Sequence, residues 1–88
     1  MEGLTLQPYK VLVTIEVLQI ERPNKGERHR ILAFIESLAN NPERIGDYTE
    51  YDDASRPVQI KIVGDYALTY WVDHAVKEVK VTKIEKAD

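Results

Sequence analysis

The sequence predicts an α+β fold in which one or two helices cover an antiparallel sheet. Residues 57–84 contain three short runs of alternating polar and apolar residues, separated by two turns, as in a three-stranded meander. Residues 25–40 have apolar positions at helical spacing, and residues 9–20 alternate as a long first strand does. Because a sheet with one apolar face must bury that face, we expect the helix to pack on it.

Length and composition indicate one small globular domain. The 88 residues form a single unit, 1–88, with short tails at 1–8 and 85–88, and 43% apolar with 31% charged residues is ordinary for a folded chain. The absence of cysteine excludes disulfides and thiolate chemistry. No apolar run approaches the roughly 20 residues of a membrane span, and the first residues lack the pattern of a signal peptide, so we expect a cytoplasmic protein with no membrane partner.

The first strand is predicted at residues 9–20, YKVLVTIEVLQI. One face of this strand is predicted to carry the aliphatic residues Val11, Val13, Ile15 and Val17. They alternate with Lys10, Leu12, Thr14 and Glu16 on the other face. Leu18 and Ile20 interrupt the alternation, so a helix from Glu16 to Glu21 remains an alternative.

The helix is predicted from Lys25 to about Asn40. Asn24 is a suitable N-cap, and Glu27 stands three residues later, as in a capping box. The apolar face is assigned to Ile31, Leu32, Ile35, Leu38 and Ala39. Asn40, Asn41 and Pro42 then end the helix, since the residue before proline avoids helical geometry.

The C-terminal half is predicted to form strands. Residues 45–51 add either one more strand or an irregular edge, and residues 52–55 form a polar turn. In the meander, the first two strands carry Val58, Ile60 and Ile62, then Tyr66, Leu68, Tyr70 and Val72, on either side of a Gly64-Asp65 turn. The third strand is predicted to place Val79, Val81 and Lys83 on one side and Lys80, Thr82 and Ile84 on the other.

The charge balance argues against a nucleic-acid backbone as the main partner. The net charge is −3 and the pI is near 5.4, whereas phosphate binding depends on lysine and arginine. Basic residues cluster at the start of the helix, namely Arg22, Lys25, Arg28, His29 and Arg30, and acidic ones in Glu43, Asp47, Glu50, Asp52 and Asp53. A solvated helix face opposite an acidic loop is the favoured interpretation, although two such patches also suit a partner chain.

Other site chemistries find little support in the residues. His29 and His74 lack further metal ligands at suitable spacing, so no metal is expected. The adjacent Asp52 and Asp53 are first of all turn formers, and the scattered glycines make no phosphate-binding loop. No cofactor is predicted.

The order of the motifs resembles the RelE/ParE superfamily of type II toxin-antitoxin toxins. The matching pieces are the helix ending IESLANNP, the following Ile45-Gly46, the turn Val63-Gly64-Asp65-Tyr66, the aromatic Tyr70 and the final strand EVKVTKI. The resemblance covers roughly residues 9–84. It implies a curved sheet with an open working face, an antitoxin that wraps the toxin, and a bacterial or plasmid-stabilisation setting. An N-terminal helical hairpin is usual in that family, whereas this chain has room for little more than one helix.

The chain departs from the mRNA-cleaving members of that family at the positions that carry charge. The residue after the GDY-like turn is usually arginine, which stabilises the scissile phosphate, and here it is Ala67. The basic residue often found before the turn is replaced by Ile62, and the terminal His-Arg pair and later tyrosine are missing. Because these charged positions differ, we expect the protein to act by binding rather than by cleaving mRNA. If it is an enzyme, the resemblance implies a ribosome-dependent mRNA endonuclease.

Other residues on the same sheet face are candidates to substitute for the missing basic residues. Strand alternation places Thr69 and Trp71 with Ala67, and Lys61 and Lys80 join them if the strand register brings them there. The catalytic candidates are Lys61, Trp71 and Lys80. The candidates for partner binding are Trp71, Arg28, Arg30 and Tyr51.

Three functions follow as hypotheses. The leading one is a RelE/ParE-like toxin component, or a non-cleaving relative, that acts by binding an antitoxin protein. The alternative is a divergent ribosome-dependent mRNA endonuclease, which the acidic charge disfavours, and the second alternative is a non-toxic structural or adaptor domain. A homodimer is a further partner hypothesis, because an exposed strand edge can pair with its own copy.

Overall fold

One helix packs on a five-stranded sheet in the part of the chain that the structure describes. The computed structural model describes residues 9–13 and 24–87. Its elements are β1 (Lys10–Val13), α1 (Lys25–Ser37), β2 (Tyr48–Tyr51), β3 (Pro57–Val63), β4 (Tyr66–Asp73) and β5 (Glu78–Lys86). The predicted α+β class is confirmed. The second half of the predicted first strand, the helical alternative at 16–21 and Arg22 lie outside the described residues.

The sheet has the strand order β1-β5-β4-β3-β2. The predicted meander is confirmed, since β3, β4 and β5 pair antiparallel in sequence, and β2 adds a strand beside β3. β1 runs parallel to β5, with Val11 opposite Val79, so the sheet is mixed. A parallel pair needs a long crossover connection, and here that connection includes α1.

The helix begins as the sequence predicts. Asn24 Oδ1 accepts a hydrogen bond from the Glu27 N–H at 2.7 Å, and Glu27 Oε1 accepts one from the Asn24 N–H at 3.2 Å, which completes the capping box. The α-helical residues end at Ser37, three residues before the predicted end, with Leu38 as the C-cap. The buried helical face consists of Ile31, Phe34 and Ile35, continued by Leu38.

Leu32 was wrongly assigned to that buried face. Its side chain is 45% exposed, and Phe34 takes its place in the core. Positions 31, 34, 35 and 38 follow the three- and four-residue spacing of one helical stripe, whereas position 32 lies beside that stripe.

The core face of the sheet is supplied mainly by β4 and β5. Its fully or nearly buried residues are Tyr66, Leu68, Tyr70, Val79, Val81 and Ile84. A bulge shifts the β4–β5 register, so that Thr69 lies opposite Lys83 while Tyr70 lies opposite Val81. The predicted alternation in the last strand is therefore wrong beyond Val81, because the extra residue turns Ile84 toward the core and Lys83 outward.

Two contacts attach the surrounding loops to this core. The Tyr70 hydroxyl donates a hydrogen bond to the Arg44 carbonyl at 3.0 Å, and burial raises the pKa of Tyr70 to about 12. The Asp65 N–H in the β3–β4 turn donates to Glu27 Oε2 at 3.3 Å, which joins that turn to the start of α1.

The helix α1 is too short to span a bilayer, and the described residues include no other helix that could do so.

Candidate functional site: the open face of the sheet

The sheet face opposite α1, called the open face below, holds a groove with an apolar floor. In the β3–β4 register Ile60 lies opposite Thr69 and Ile62 opposite Ala67, so these two isoleucines of β3 point away from the helix. The groove has a volume of about 440 Å³ and is lined in part by Val58, Ile60, Ala67, Thr69 and Trp71. Ala67, Thr69 and Trp71 lie on this one face of the sheet, as the strand alternation predicts.

Trp71 ends the groove between two cations. The guanidinium carbon of Arg56 lies 3.8 Å from the centroid of the Trp71 ring, and Lys80 Nζ lies 5.0 Å from it. Lys80 is also the register partner of Trp71, so the predicted proximity of these two residues holds. With Arg56 on its ring, Trp71 offers less aromatic surface for stacking a nucleotide base.

The basic residues around the groove are neutralised by nearby carboxylates. Arg56 Nη2 lies 2.7 Å from Asp52 Oδ2, Lys80 Nζ lies 3.3 Å from Asp73 Oδ2, and Lys83 Nζ lies 4.0 Å from Glu85 Oε2. A phosphate arriving at the groove competes with these carboxylates for the same cations. The surface is therefore poorly suited to an oligonucleotide backbone.

Arg56 is the groove residue that the sequence interpretation missed. Asp52 organises the turn between β2 and β3 by accepting hydrogen bonds from the N–H groups of Ala54 and Arg56, each at 2.9 Å. These bonds, with that from Arg56 Nε, hold the pKa of Asp52 below its ordinary value. The opposite charges four residues apart were a signal for the ion pair, but the stack on Trp71 depends on a contact across the sheet.

Lys61 is separated from the other catalytic candidates. It pairs with Leu68 in the β3–β4 register and so lies on the helix side of the sheet. Its Nζ is 3.7 Å from Asp47 Oδ1. The structure thus brings Trp71 and Lys80 together and leaves Lys61 on the other face.

The partner-binding candidates do not form one surface. Arg28 and Arg30 are exposed on α1, on the opposite side of the sheet from the groove. Tyr51 is 70% exposed on the edge strand β2 and also lines the groove that Trp71 closes. Of the four, only Tyr51 and Trp71 share a surface.

The histidines offer no metal site among residues 9–13 and 24–87, where no group of three ligating side chains was found. The Tyr9 hydroxyl and His74 Nδ1 are hydrogen-bonded at 2.8 Å, and His74 Nε2 lies 3.8 Å from Glu43 Oε2. This cluster ties the start of β1 to the turn after β4 and to the loop after α1.

The fold has counterparts among solved structures. A chain in the crystal structure of the archaeal RelE–RelB complex from Pyrococcus horikoshii OT3 matches with a TM-score of 0.75 at 21% identity, over 91% of this chain and 96% of that one. A chain in the toxin–antitoxin complex RelBE2 from Mycobacterium tuberculosis matches with a TM-score of 0.57 at 20% identity, over 90% and 98%. The sequence matches no protein-family model and no curated protein. The chain therefore has the RelE-like toxin fold.

Proposed function

We propose that this protein is the toxin-like component of a toxin–antitoxin pair, or a non-cleaving relative of one, and that it acts by binding proteins in the cytoplasm. Its partner is a small antitoxin-type protein that covers the open face. The proposal is supported by the two matching structures, one of which is an archaeal RelE–RelB complex and the other the toxin–antitoxin complex RelBE2. The function itself rests on the open face.

The apolar floor of the groove, whose neighbouring cations are paired with carboxylates, is the observation that carries the proposal. Ile62 and Ala67 are register partners, so the two positions where the resemblance leads one to expect basic residues form one apolar patch. The cations near this patch are already paired with carboxylates. Burying apolar floor residues beneath a protein segment is favourable at about 25 cal/mol per Å², whereas binding a phosphate there gains little.

Co-expression with the small protein encoded beside it tests the proposal. We expect induction of this chain alone to arrest growth, and the neighbouring protein to restore growth and to co-purify with it. Ala67→Glu should abolish co-purification, because it places a charge in the groove floor, whereas Ala33→Glu on the exposed side of α1 should not. Growth that continues unaffected, with no co-purifying protein, contradicts the proposal.

The same cultures separate the remaining alternatives. New ribosome-dependent cuts in primer extension, abolished by Lys80→Ala, would show a divergent mRNA endonuclease that uses Trp71 and Lys80. Stable binding of the neighbouring protein without any effect on growth would indicate the adaptor role.

A further inference from the structure

The outer edge of β2 pairs with no other strand in the part of the chain that the structure describes. β2 is the terminal strand of the sheet, and no described strand lies on its outer side. All four of its residues are exposed. The backbone N–H and C=O groups on that side are therefore able to accept a further strand.

Exposed apolar side chains are concentrated at this edge. Ile45, Tyr48 and Tyr51 are 75%, 60% and 70% exposed, and they lie within seven residues of one another. They make up half of the large apolar side chains that are exposed among the described residues. Single exposed apolar residues are common on protein surfaces, whereas a cluster of them beside unpaired backbone groups indicates an interaction surface.

The charge of the edge indicates what kind of strand it binds. Asp47 and Asp52 are paired with Lys61 and Arg56, but Glu50 and Asp53 make no ion pair with any residue in 9–13 or 24–87. Tyr48 and Glu50 lie opposite Ile60 and Val58, so their side chains share the open face of the sheet. A basic side chain on an added strand would meet both the Glu50 carboxylate and the Tyr48 ring.

We propose that the outer edge of β2 binds an extended, basic segment of a partner protein as a sixth strand. Alternate lysine or arginine residues of that segment lie over Tyr48 and Glu50, and its backbone pairs with β2. A second copy of this chain is disfavoured as the occupant, because it would bring two unpaired Glu50 carboxylates onto the same side of a joint sheet. Glu50 also borders the groove, so this edge continues one rim of the groove, whereas the backbone pairing takes place on the outer side of β2. The inference does not depend on the proposed toxin function.

Peptide titration followed by amide NMR tests the inference with the purified chain. The probe is a peptide of alternating lysine and valine, and its control is the same peptide with glutamate in place of lysine. We expect the basic peptide to perturb residues 48–51 and to slow hydrogen exchange at alternate β2 amides, and the acidic peptide to do neither. Glu50→Gln should weaken binding about two- to fivefold, whereas Glu36→Gln, exposed on α1, should leave it unchanged.

Three results would overturn the inference. Equal binding of both peptides would remove the charge argument, and perturbations confined to Ala67 and Thr69 would place the peptide in the groove instead. Slow exchange in β2 that depends on protein concentration without any peptide would identify a second copy as the occupant. None of these readouts involves an antitoxin or growth, so failure here leaves the proposed function to its own test.

Discussion

At the scale of single residues, Glu27 connects two parts of the molecule. One carboxylate oxygen accepts the N–H of Asn24 at the start of α1, and the other accepts the N–H of Asp65 in the β3–β4 turn. Gly64, beside Asp65, has a φ of 60°, and a Cβ there would lie 3.2 Å from Glu27 Cγ. The positive φ favours glycine at this position, and the Glu27 side chain would have to shift for any larger residue.

We expect the stability of the protein to fall in acid because of Glu27. The hydrogen bond from the Asn24 N–H, followed by that from Asp65, holds the pKa of Glu27 below its ordinary value of 4.5. The unfolded chain therefore binds a proton at higher pH than the folded chain does. The stabilisation is complete above 4.5 and is lost as the pH falls through the lowered pKa of the folded state.

Urea denaturation between about pH 3 and pH 7 measures this effect. Glu27→Gln should be less stable at neutral pH and should lose less stability on acidification than the unaltered chain. Glu36→Gln, a matched change on the exposed side of the same helix, should preserve the acid dependence. If both variants show the same acid dependence as the unaltered chain, Glu27 is not the responsible group.

The sequence predicted one half of the Glu27 contacts. Asn24 and Glu27 are three residues apart, so the capping box is a local pattern that can be read directly. The contact with Asp65 joins residues 38 positions apart in the chain. Nothing in the local sequence at either end specifies it, because it depends on how the helix lies across the sheet.

At the scale of elements, the loop before β2 is fixed to β3 at Gly46. The Gly46 N–H donates to Gln59 Oε1 at 2.9 Å, and the Asp47 N–H donates to the Ile60 carbonyl at 2.7 Å. A Cβ on Gly46 would lie 2.5 Å from that same carbonyl oxygen. The loop and β3 are therefore closer than any side chain at position 46 allows.

Gly46→Ala should destabilise the protein by about 1–3 kcal/mol, because either the loop or β3 must move. Gly26→Ala is the matched control: a Cβ there would meet nothing closer than 3.6 Å, and alanine favours the helix by up to about 1 kcal/mol. Urea denaturation of both variants compares them. A Gly46→Ala variant as stable as the unaltered chain would show that this close approach is not required.

The elements themselves were largely predictable, and their relative placement was not. The alternation of residues 57–84 predicted three strands, and the structure has them. The bulge beside Thr69 and Tyr70 exchanges the faces on which Lys83 and Ile84 lie. No residue type in either strand predicts this bulge. The parallel pairing of β1 with β5 likewise depends on tertiary packing, because a strand with alternating residues can pair in either direction.

At the scale of the whole molecule, the sheet has two apolar faces, of which one is covered by α1. The helix side buries Tyr66, Leu68 and Tyr70, while the open side keeps Ile60 and Ala67 in an accessible groove. The sequence resemblance anticipated the fold, and the sequence itself places the apolar residues Ile62 and Ala67 on this face. It did not anticipate that Asp52 and Arg56 would close one end of the groove over Trp71.

The charge of the open face leads to a prediction about RNA. The unaltered chain should show no binding to a single-stranded oligoribonucleotide in fluorescence anisotropy at about 0.15 M salt, because both cations that line the described groove, Arg56 and Lys83, are paired with carboxylates. The double variant Ile62→Lys with Ala67→Arg places two cations on adjacent strands across one register pair. It should bind RNA measurably, and log K should fall with log salt by a slope of up to about 1.4 for two phosphate contacts.

A second double variant distinguishes the site from the net charge. Leu32→Lys with Ala33→Arg adds the same two charges at exposed positions on α1, away from the groove. If the groove geometry matters, this control should bind RNA more weakly than the groove variant, although both chains carry the same net charge. Equal binding by the two variants would reduce the effect to overall charge. Tight binding by the unaltered chain would show instead that phosphate displaces the carboxylates of Asp52 and Asp73 from their cations, and would favour the mRNA endonuclease over the binding function.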